Sequence, residues 1–201
     1  LQISKLWSIL MKNNFIRFYE NYVFKLNSYL TNIDNEELIR LEKYFKKSIN
    51  KNNKIFLAGN GGSAATASTM ANDLGFDLYK KKNKKINFQS LVDNTSIVTA
   101  ISNDTGYSNL FLNQLKLYYR KGDALLVISA SGNSKNLIDA IKFVKKNKGT
   151  IISFLGFDGG KIKKMSDISI HVKTEKGQYG PVEDCHLIFN HVLAHWYQSL
   201  K

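Results

Sequence analysis

Short apolar runs alternate with helix-like stretches from residue 54 onward. Runs of about four to eight apolar residues bounded by glycine or polar clusters predict buried strands, and apolar positions at three-to-four spacing predict helices. Strands and helices that alternate along a chain predict a three-layer α/β fold with a mostly parallel sheet. The predicted strands are KIFLAG (54–59), NFQSLV (87–92), ALLVIS (124–129), GTIISFLG (149–156) and DISIHVK (167–173).

Helices flank the predicted sheet. Residues 15–31 carry apolar and aromatic side chains at helical spacing, Asp34 followed by Glu37 resembles a capping box that opens a second helix, and a last amphipathic helix starts at 182. The chain 1–201 is predicted as one domain, with an N-terminal helical region (1–50), a sheet core (51–181) and a C-terminal helix (182–201). Two helices before the first strand cannot both hide their apolar faces easily, so we expect them to pack against a partner.

Composition narrows the class of protein. The 201 residues are 43% hydrophobic with one proline, which suits a globular domain with a full-sized core. No apolar run approaches the roughly 18 residues of a membrane-spanning helix, and no signal-peptide pattern is found, so a cytoplasmic protein without a membrane partner is expected. The single cysteine, Cys185, excludes an internal disulfide framework.

The net charge of +13 raises the question of a nucleic-acid partner. Only three of the 29 basic residues are arginine, although arginine is best suited to phosphate and base contacts. The one dense run, YKKKNKK at 79–85, lies between two apolar segments and is typical of a solvated loop. These features argue against nucleic acid.

Two loops after predicted strands carry the candidate chemistry. GNGGS (59–63) follows the first strand, and SASGNS (129–134) begins at the end of the third. Glycine lets the backbone approach a ligand closely, while serine hydroxyls, amides and a helix N-terminus favour an oxyanion or a polar sugar. Neither loop fits the GxxxxGK[ST] or GxGxxG nucleotide motifs. Two such loops on one sheet predict a small phosphorylated ligand.

Four segments in this order and spacing resemble the SIS (sugar isomerase) domain of the phosphoheptose isomerase group: GNGGSAA, NDTGY (103–107), SASGNS and GFDGGKI (156–162). The resemblance implies a doubly wound α/β sheet of about five parallel strands with N-terminal helices, and a homotetramer. It implies isomerisation of sedoheptulose 7-phosphate to a seven-carbon aldose phosphate, for surface-polysaccharide synthesis.

The resemblance also assigns the substrate contacts. SASGNS would hold the phosphate, and the opening loop with Asp104 would bind the sugar. The expected binding residues are Asn60, Gly61, Gly62, Ser63, Asp104, Ser129, Ser131, Asn133, Ser134 and Glu183.

Catalysis needs a base and an acid that move a proton between neighbouring carbons through an enediol. In phosphoheptose isomerases the helix after GNGGS carries a His and, four residues later, a Glu, while the last helix carries a Gln and, eight later, a His; all four can hold zinc. The corresponding residues here are Thr69, Asp73, Glu183 and His191, so three of the four types differ. We expect Asp73 and His191 to form the acid–base pair, with zinc possible on Asp73, Glu183 and His191.

Alternatives stay open at this point. Asp73 could be a surface carboxylate and His191 a hydrogen-bonded core histidine, and His171 in its strand pattern is more often structural. The protein could be a SIS domain regulator that binds a sugar phosphate or another protein without catalysis. It could also isomerise a different phosphorylated sugar.

Overall fold

The computed structural model describes residues 14–200, and residues 1–13 of the predicted helical region lie outside them. Its centre is a sheet of five parallel strands in the order β2-β1-β3-β4-β5, which confirms the predicted α/β class. The strands are β1 (Lys54–Gly59), β2 (Asn87–Ser90), β3 (Ala124–Ser129), β4 (Thr150–Leu155) and β5 (Ile168–His171). The order reverses beside β1, so the loops after β1 and β3 leave the sheet at its switch point.

The helices lie before, between and after the strands. They are α1 (Asn14–Thr31), α2 (Asn35–Ser48), α3 (Gly62–Met70), α4 (Leu78–Lys82), α5 (Thr95–Thr105), α6 (Leu110–Tyr118), α7 (Lys135–Lys146), α8 (Gly160–Lys163) and α9 (Tyr179–Ser199). A π-helical segment, Ala71–Asp77, joins α3 to α4, and a 3₁₀ turn, Tyr107–Asn109, precedes α6.

Each face of the sheet is covered by its own hydrophobic core. Successive strand residues point to opposite faces, so Ile55 and Leu57 pack with α2 and α9 residues, while Phe56 and Ala58 pack with α6 and α7 residues. All six residues of β3 are buried, as expected for the middle strand of a parallel sheet. This rigid centre holds the ends of β1 and β3 in place.

The start of α2 differs from the expected capping box. Asp34 caps the helix by accepting the Glu36 backbone N–H at 2.8 Å, as predicted for its position. Glu37 does not reach back to Asp34; its carboxylate accepts the Ser169 backbone N–H at 2.6 Å on the outer edge of β5. The Ser169 N–H lies on a strand edge with no neighbouring strand and needs an acceptor. Because Glu37 supplies that acceptor, its carboxylate does not complete the capping box.

The helix after GNGGS also differs from the pattern. The sequence predicts one regular helix through Leu74, whereas the α-helix ends at Met70 and continues as the wider π-helical segment. Such segments are rare and occur often at functional sites, and this one carries Asp73.

Apolar side chains on the outer helices are exposed. No residue of α1 is buried, and Phe18 and Phe24 expose 66% and 71% of their surface. On α9, Val192 and Trp196 expose 55% and 48%. Within residues 14–200, no helix is both long and apolar enough to cross a membrane.

Candidate active site

A polar cleft of about 160 Å³ lies at the carboxyl ends of β1 and β3, where the two predicted loops meet the first turn of α9. Its lining is rich in hydroxyl groups, as a site for an oxyanion requires. The lining residues are Asn60, Ser63, Ile128, Ser129, Ala130, Ser131, Ser134, Tyr179 and Glu183. Six of the ten expected binding residues are therefore brought together here.

The first loop turns sharply into α3. Gly61 has a φ of +55°, which favours glycine, and its carbonyl accepts the Ala64 N–H at 3.0 Å. The Ser63 N–H bonds to the Asn60 carbonyl at 3.0 Å, and the Ser63 side chain is buried against the cleft. Gly61 and Gly62 shape this turn and contribute no side chain to the lining.

The second loop is braced from within. The Ser129 hydroxyl accepts the Gly132 N–H at 3.1 Å, and the Ser131 hydroxyl accepts the Asn133 N–H at 3.3 Å. Both hydroxyls keep their hydrogens for another acceptor, because each accepts in these bonds. Ser134 lines the cleft at the N-terminus of α7 and makes no capping bond to the helix through its side chain. The three serines thus face the cleft as candidate donors.

A third loop supports the second one from behind. The Gly132 carbonyl accepts the Ile162 N–H at 2.9 Å, and a side chain at residue 132 would collide with the Gly159 carbonyl. Asn133 is turned toward this loop: its Oδ1 accepts the Lys161 N–H at 3.1 Å and its Nδ2 donates to the Ser131 carbonyl at 2.8 Å. Asn133, an expected ligand residue, therefore braces the loop and does not line the cleft.

Glu183 enters the cleft from α9. Its carboxylate lies against Gly62, where any side chain would collide with it. Burial, helped by the negative charge of the adjacent Asp184, raises the pKa of the Glu183 carboxyl. Asp184 itself accepts a hydrogen bond from the Tyr22 hydroxyl and so ties α9 to α1.

Asp73 and His191 come together as the sequence predicts, with 3.6 Å between Asp73 Oδ2 and His191 Nε2. The Asp73 side chain is only 15% exposed, while that of His191 is 53% exposed. Asn190 Nδ2 donates to Asp73 Oδ2 at 2.8 Å, which holds the carboxylate toward α9. The structure therefore contradicts the alternative of a surface carboxylate and a core histidine. The Asp73 carboxylate is largely buried, and the His191 imidazole is exposed.

The acid–base pair and the cleft lie at different levels of α9. As far as residues 14–200 form it, the cleft lining does not include Asp73 or His191. Glu183 and His191 are eight residues apart on this helix, which corresponds to about 12 Å along its axis. His191 instead borders an apolar groove on the outer face of α9, with Ile188, Val192, His195, Trp196 and Ser199.

Asp104, the remaining expected binding residue, is exposed near the end of α5. Its Oδ1 accepts the Asn103 side-chain N–H at 2.9 Å, and it does not reach the cleft. His171 contacts neighbouring parts of the fold, with Nε2 3.0 Å from the Phe157 carbonyl and Nδ1 3.0 Å from Lys163 Nζ.

The expected three-residue zinc set is not assembled. Residues 14–200 contain no group of three or more His, Cys, Asp or Glu side chains that could hold a metal ion. Thr69 does not supply the imidazole of the family pattern: its neutral hydroxyl is a poor zinc ligand compared with His, and it donates to the Ala65 carbonyl at 3.0 Å within its own helix. Glu183 points to Gly62, away from the Asp73 and His191 pair. The donors present therefore do not fit a zinc ion in the way the family pattern suggests.

Three residues that the sequence analysis missed complete the geometry. Asn190 holds Asp73, and Asn136 and Tyr107 both bond to the side chain of Asn60. Tyr107 lies in the NDTGY segment, which marked the region but not the residue. The roles of Asn136 and Asn190 could not be recognised from the sequence, because an asparagine near a helix start or within an amphipathic helix can serve many roles.

Comparisons with known proteins agree with this fold. The sequence profile of the SIS domain matches residues 18–156. Phosphoheptose isomerase from Sulfurimonas denitrificans is 37% identical over 169 residues, covering 80% of this chain and 83% of the relative. Phosphoheptose isomerase from Aliarcobacter butzleri is 36% identical over 159 residues, covering 79% of this chain and 82% of the relative.

A solved structure shows the same architecture over nearly the whole chain. Phosphoheptose isomerase GmhA from Neisseria gonorrhoeae superposes with a TM-score of 0.78 at 27% identity. The match covers 92% of this chain and 98% of that one.

Proposed function

The chain belongs to the SIS domain family, and we propose that it is a phosphoheptose isomerase that converts sedoheptulose 7-phosphate into a heptose 7-phosphate through an enediol. The observation that carries this proposal is the serine-lined cleft at the ends of β1 and β3, together with a carboxylate–imidazole pair on neighbouring helical segments. The relatives' names favour this isomerase over a non-catalytic regulator.

The phosphate fits the second loop. Three serine hydroxyls and the N-terminus of α7 converge there without a lysine in the lining. Neutral donors at a helix N-terminus suit an oxyanion. Removing these three hydroxyls would take away every side-chain donor that the second loop offers to the cleft.

The acid–base pair supplies the proton transfer. In the ketose, Asp73 takes a proton from the carbon beside the carbonyl carbon, and the electron pair left behind forms the enediolate. Return of the proton to the former carbonyl carbon gives the aldose, while His191 exchanges the proton at the oxygens. Asn190 keeps the Asp73 carboxylate oriented for this work.

The spacing along α9 suits an elongated substrate. A phosphate in the cleft and a reacting carbon near Asp73 lie at opposite ends of the stretch between Glu183 and His191. An open-chain seven-carbon sugar phosphate carries its phosphate and its carbonyl at opposite ends. No step of this chemistry is assigned to a metal, because the donors among residues 14–200 do not form a metal site.

The cellular setting is proposed from the resemblance to phosphoheptose isomerases. We place the enzyme in the cytoplasm, where it would supply a heptose phosphate for a surface polysaccharide. A homotetramer would cover the exposed apolar faces of α1 and α9. The exposed side chains of Phe18, Phe24 and Trp196 are the observation that supports this proposal.

Proton exchange in heavy water tests the proposed function. The purified protein is incubated with sedoheptulose 7-phosphate, and deuterium uptake at the carbon beside the carbonyl is followed by NMR. We expect uptake that Asp73→Asn lowers by about 100- to 10,000-fold, the usual contribution of an acid–base group. Asp77→Asn, which changes a carboxylate one turn further along the same segment, should leave uptake unchanged.

The same assay tests the metal assignment. Neither added zinc nor a chelator should change the rate of uptake. No uptake by a folded protein that still binds the ketose phosphate would contradict the isomerase, and a rate that depends on zinc would contradict the assignment of chemistry to Asp73 and His191 alone.

A further inference from the structure

Asn60 sits in a network that determines which of its polar atoms a ligand can meet. The residue follows β1 directly and lines the cleft. Its side-chain amide forms a reciprocal pair with Asn136 on α7: Asn60 Nδ2 donates to Asn136 Oδ1 at 3.1 Å, and Asn136 Nδ2 donates to Asn60 Oδ1 at 2.9 Å.

A backbone contact sets the orientation of this pair. The Leu137 N–H donates to Asn136 Oδ1 at 2.9 Å, and a backbone N–H can only donate. The oxygen of Asn136 therefore faces Leu137, and its Nδ2 must donate to the oxygen of Asn60. Asn136 is only 3% exposed, so water does not compete for these bonds.

Tyr107 occupies the remaining capacity of the Asn60 oxygen. Its hydroxyl donates to Asn60 Oδ1 at 2.6 Å from the 3₁₀ turn before α6. A carbonyl oxygen has two lone pairs, and both are now used. Nδ2 has two hydrogens, of which Asn136 takes one, so the other is the group that Asn60 can offer to the cleft.

We propose that Asn136 and Tyr107 are positioning residues that lock the Asn60 amide as a hydrogen-bond donor toward a ligand oxygen in the cleft. This inference rests on the proposed function when it assigns that oxygen to the sugar phosphate. A donor already held in place binds the ligand oxygen without the cost of ordering its side chain. An acceptor at the same position would repel it.

Variants separate the donor from its supports. Asn60→Asp keeps the size but offers an acceptor, and we expect the affinity for sedoheptulose 7-phosphate to fall about 10- to 100-fold, as for the loss of a hydrogen bond to a charged group. Tyr107→Phe removes one support, and a loss of affinity of up to about tenfold, close to the value of one hydrogen bond, is expected as a rise in KM with a smaller change in kcat. Asn136→Asp keeps the acceptor for Leu137 but cannot donate to Asn60, and it should resemble Tyr107→Phe or be more severe.

Two controls guard against a general loss of structure. Tyr79→Phe removes a hydroxyl from a similarly exposed tyrosine, 53% against 52%, and should match the wild type. The value of kcat at saturating substrate reports the Asp73 and His191 pair, about 12 Å further along α9, and should stay within about twofold in Tyr107→Phe. Wild-type affinity for sedoheptulose 7-phosphate in Tyr107→Phe and Asn136→Asp, or in Asn60→Asp, would overturn the inference.

Failure of the proposed function gives a different result. Absence of deuterium uptake by the wild-type protein would contradict the isomerase proposal. The orientation of the Asn60 amide could still be tested by ligand binding. Calorimetry with sedoheptulose 7-phosphate should then still show weaker binding in Asn60→Asp and Tyr107→Phe. Equal binding of the sugar phosphate by all three proteins would overturn the donor assignment as well.

Discussion

Among the residues that line the cleft, Glu183 carries the carboxyl group that a bound phosphate would meet. The serine hydroxyls around it are neutral donors, so its protonation state decides the sign of the local field. Burial and the neighbouring Asp184 raise the pKa of its carboxyl and favour the neutral form beside an anion. A neutral amide stands at this position in the family pattern, and a protonated Glu183 resembles it in charge.

Sulfate affinity should therefore depend on pH. Sulfate keeps its charge throughout the range from about pH 4 to 8, so a change reports the protein. As pH rises through the raised pKa of Glu183, the carboxylate becomes negative and we expect sulfate affinity to fall about tenfold, or about 1.4 kcal/mol.

Calorimetry at several pH values checks this expectation. Glu183→Gln should bind sulfate with the same affinity across the range, at the level of the acidic wild type. A pH-dependent step of the same size in Glu183→Gln would assign the effect to another group.

At the scale of elements, α9 links the sheet to the acid–base pair. His186 is fully buried on this helix, with Nε2 3.2 Å from the Leu155 carbonyl at the end of β4. One turn later the buried Asn190 holds Asp73 on the π-helical segment. The helix thus carries one contact to the strand ends and one contact to the proposed catalytic carboxylate, Asp73.

Acid should weaken the contact between His186 on α9 and the end of β4. Burial lowers the pKa of His186 to about 4, below the value of 6.5 that it has when exposed. Between these values the unfolded chain binds a proton that the folded chain does not, so the free energy of unfolding is largest above about pH 6.5. It should fall as the pH is lowered toward 4, by up to about 1.4 kcal/mol per pH unit for this one group.

Urea unfolding at fixed protein concentration measures the slope. His186→Gln should flatten it between about pH 4 and 6.5, whereas His195→Gln, an exposed histidine on the same helix, should leave it unchanged. If His186→Gln does not fold, NMR titration of the wild-type ring decides: protonation near pH 6.5 would contradict the prediction.

At the scale of the whole molecule, the chain buries both faces of its sheet but leaves apolar surface on α1 and α9. The groove beside His191 includes Val192 and Trp196, so the surface that would bind another copy touches the proposed catalytic pair. Assembly and activity should therefore be coupled in this protein.

Trp196→Ser tests that coupling. Removal of an exposed indole from an interface should lower the mass measured by light scattering and, since His191 borders the same groove, lower turnover as well. Leu117→Ser changes another exposed apolar side chain, 71% exposed on α6, and should alter neither. An unchanged mass for Trp196→Ser would show that this groove is not the interface.

The sequence predicted β1 and β3 with the bounds that the structure has, because continuous apolar runs between glycines and polar residues leave little choice of element. The outer strands were predicted too long: β2 ends at Ser90 and β5 spans Ile168–His171. Edge strands lack a second neighbour, so their ends depend on covering side chains such as Glu37 rather than on the apolar pattern.

The site shows the same division. Serines and glycines after strands can be recognised from the sequence, because parallel strands bring their carboxyl ends to one edge. The pairing of Asp73 with His191 agreed with the expectation from the family resemblance. The bracing role of Asn133, the exposed position of Asp104 and the separation of Glu183 from His191 could not be predicted, since side-chain direction depends on neighbours that are distant in sequence.

What the sequence determined by itself is the order of strands and helices, the sheet that they form, and the two loops that meet at its switch point; local periodicity and glycine geometry are enough for these. Only the tertiary structure decided which atoms act. Asn136 and Tyr107 turn the amide of Asn60, Asn190 holds Asp73, and Glu183 lies against Gly62. Each of these contacts joins residues far apart in the chain, and hydrogen-bond direction exists only once the folded backbone has brought donor and acceptor together.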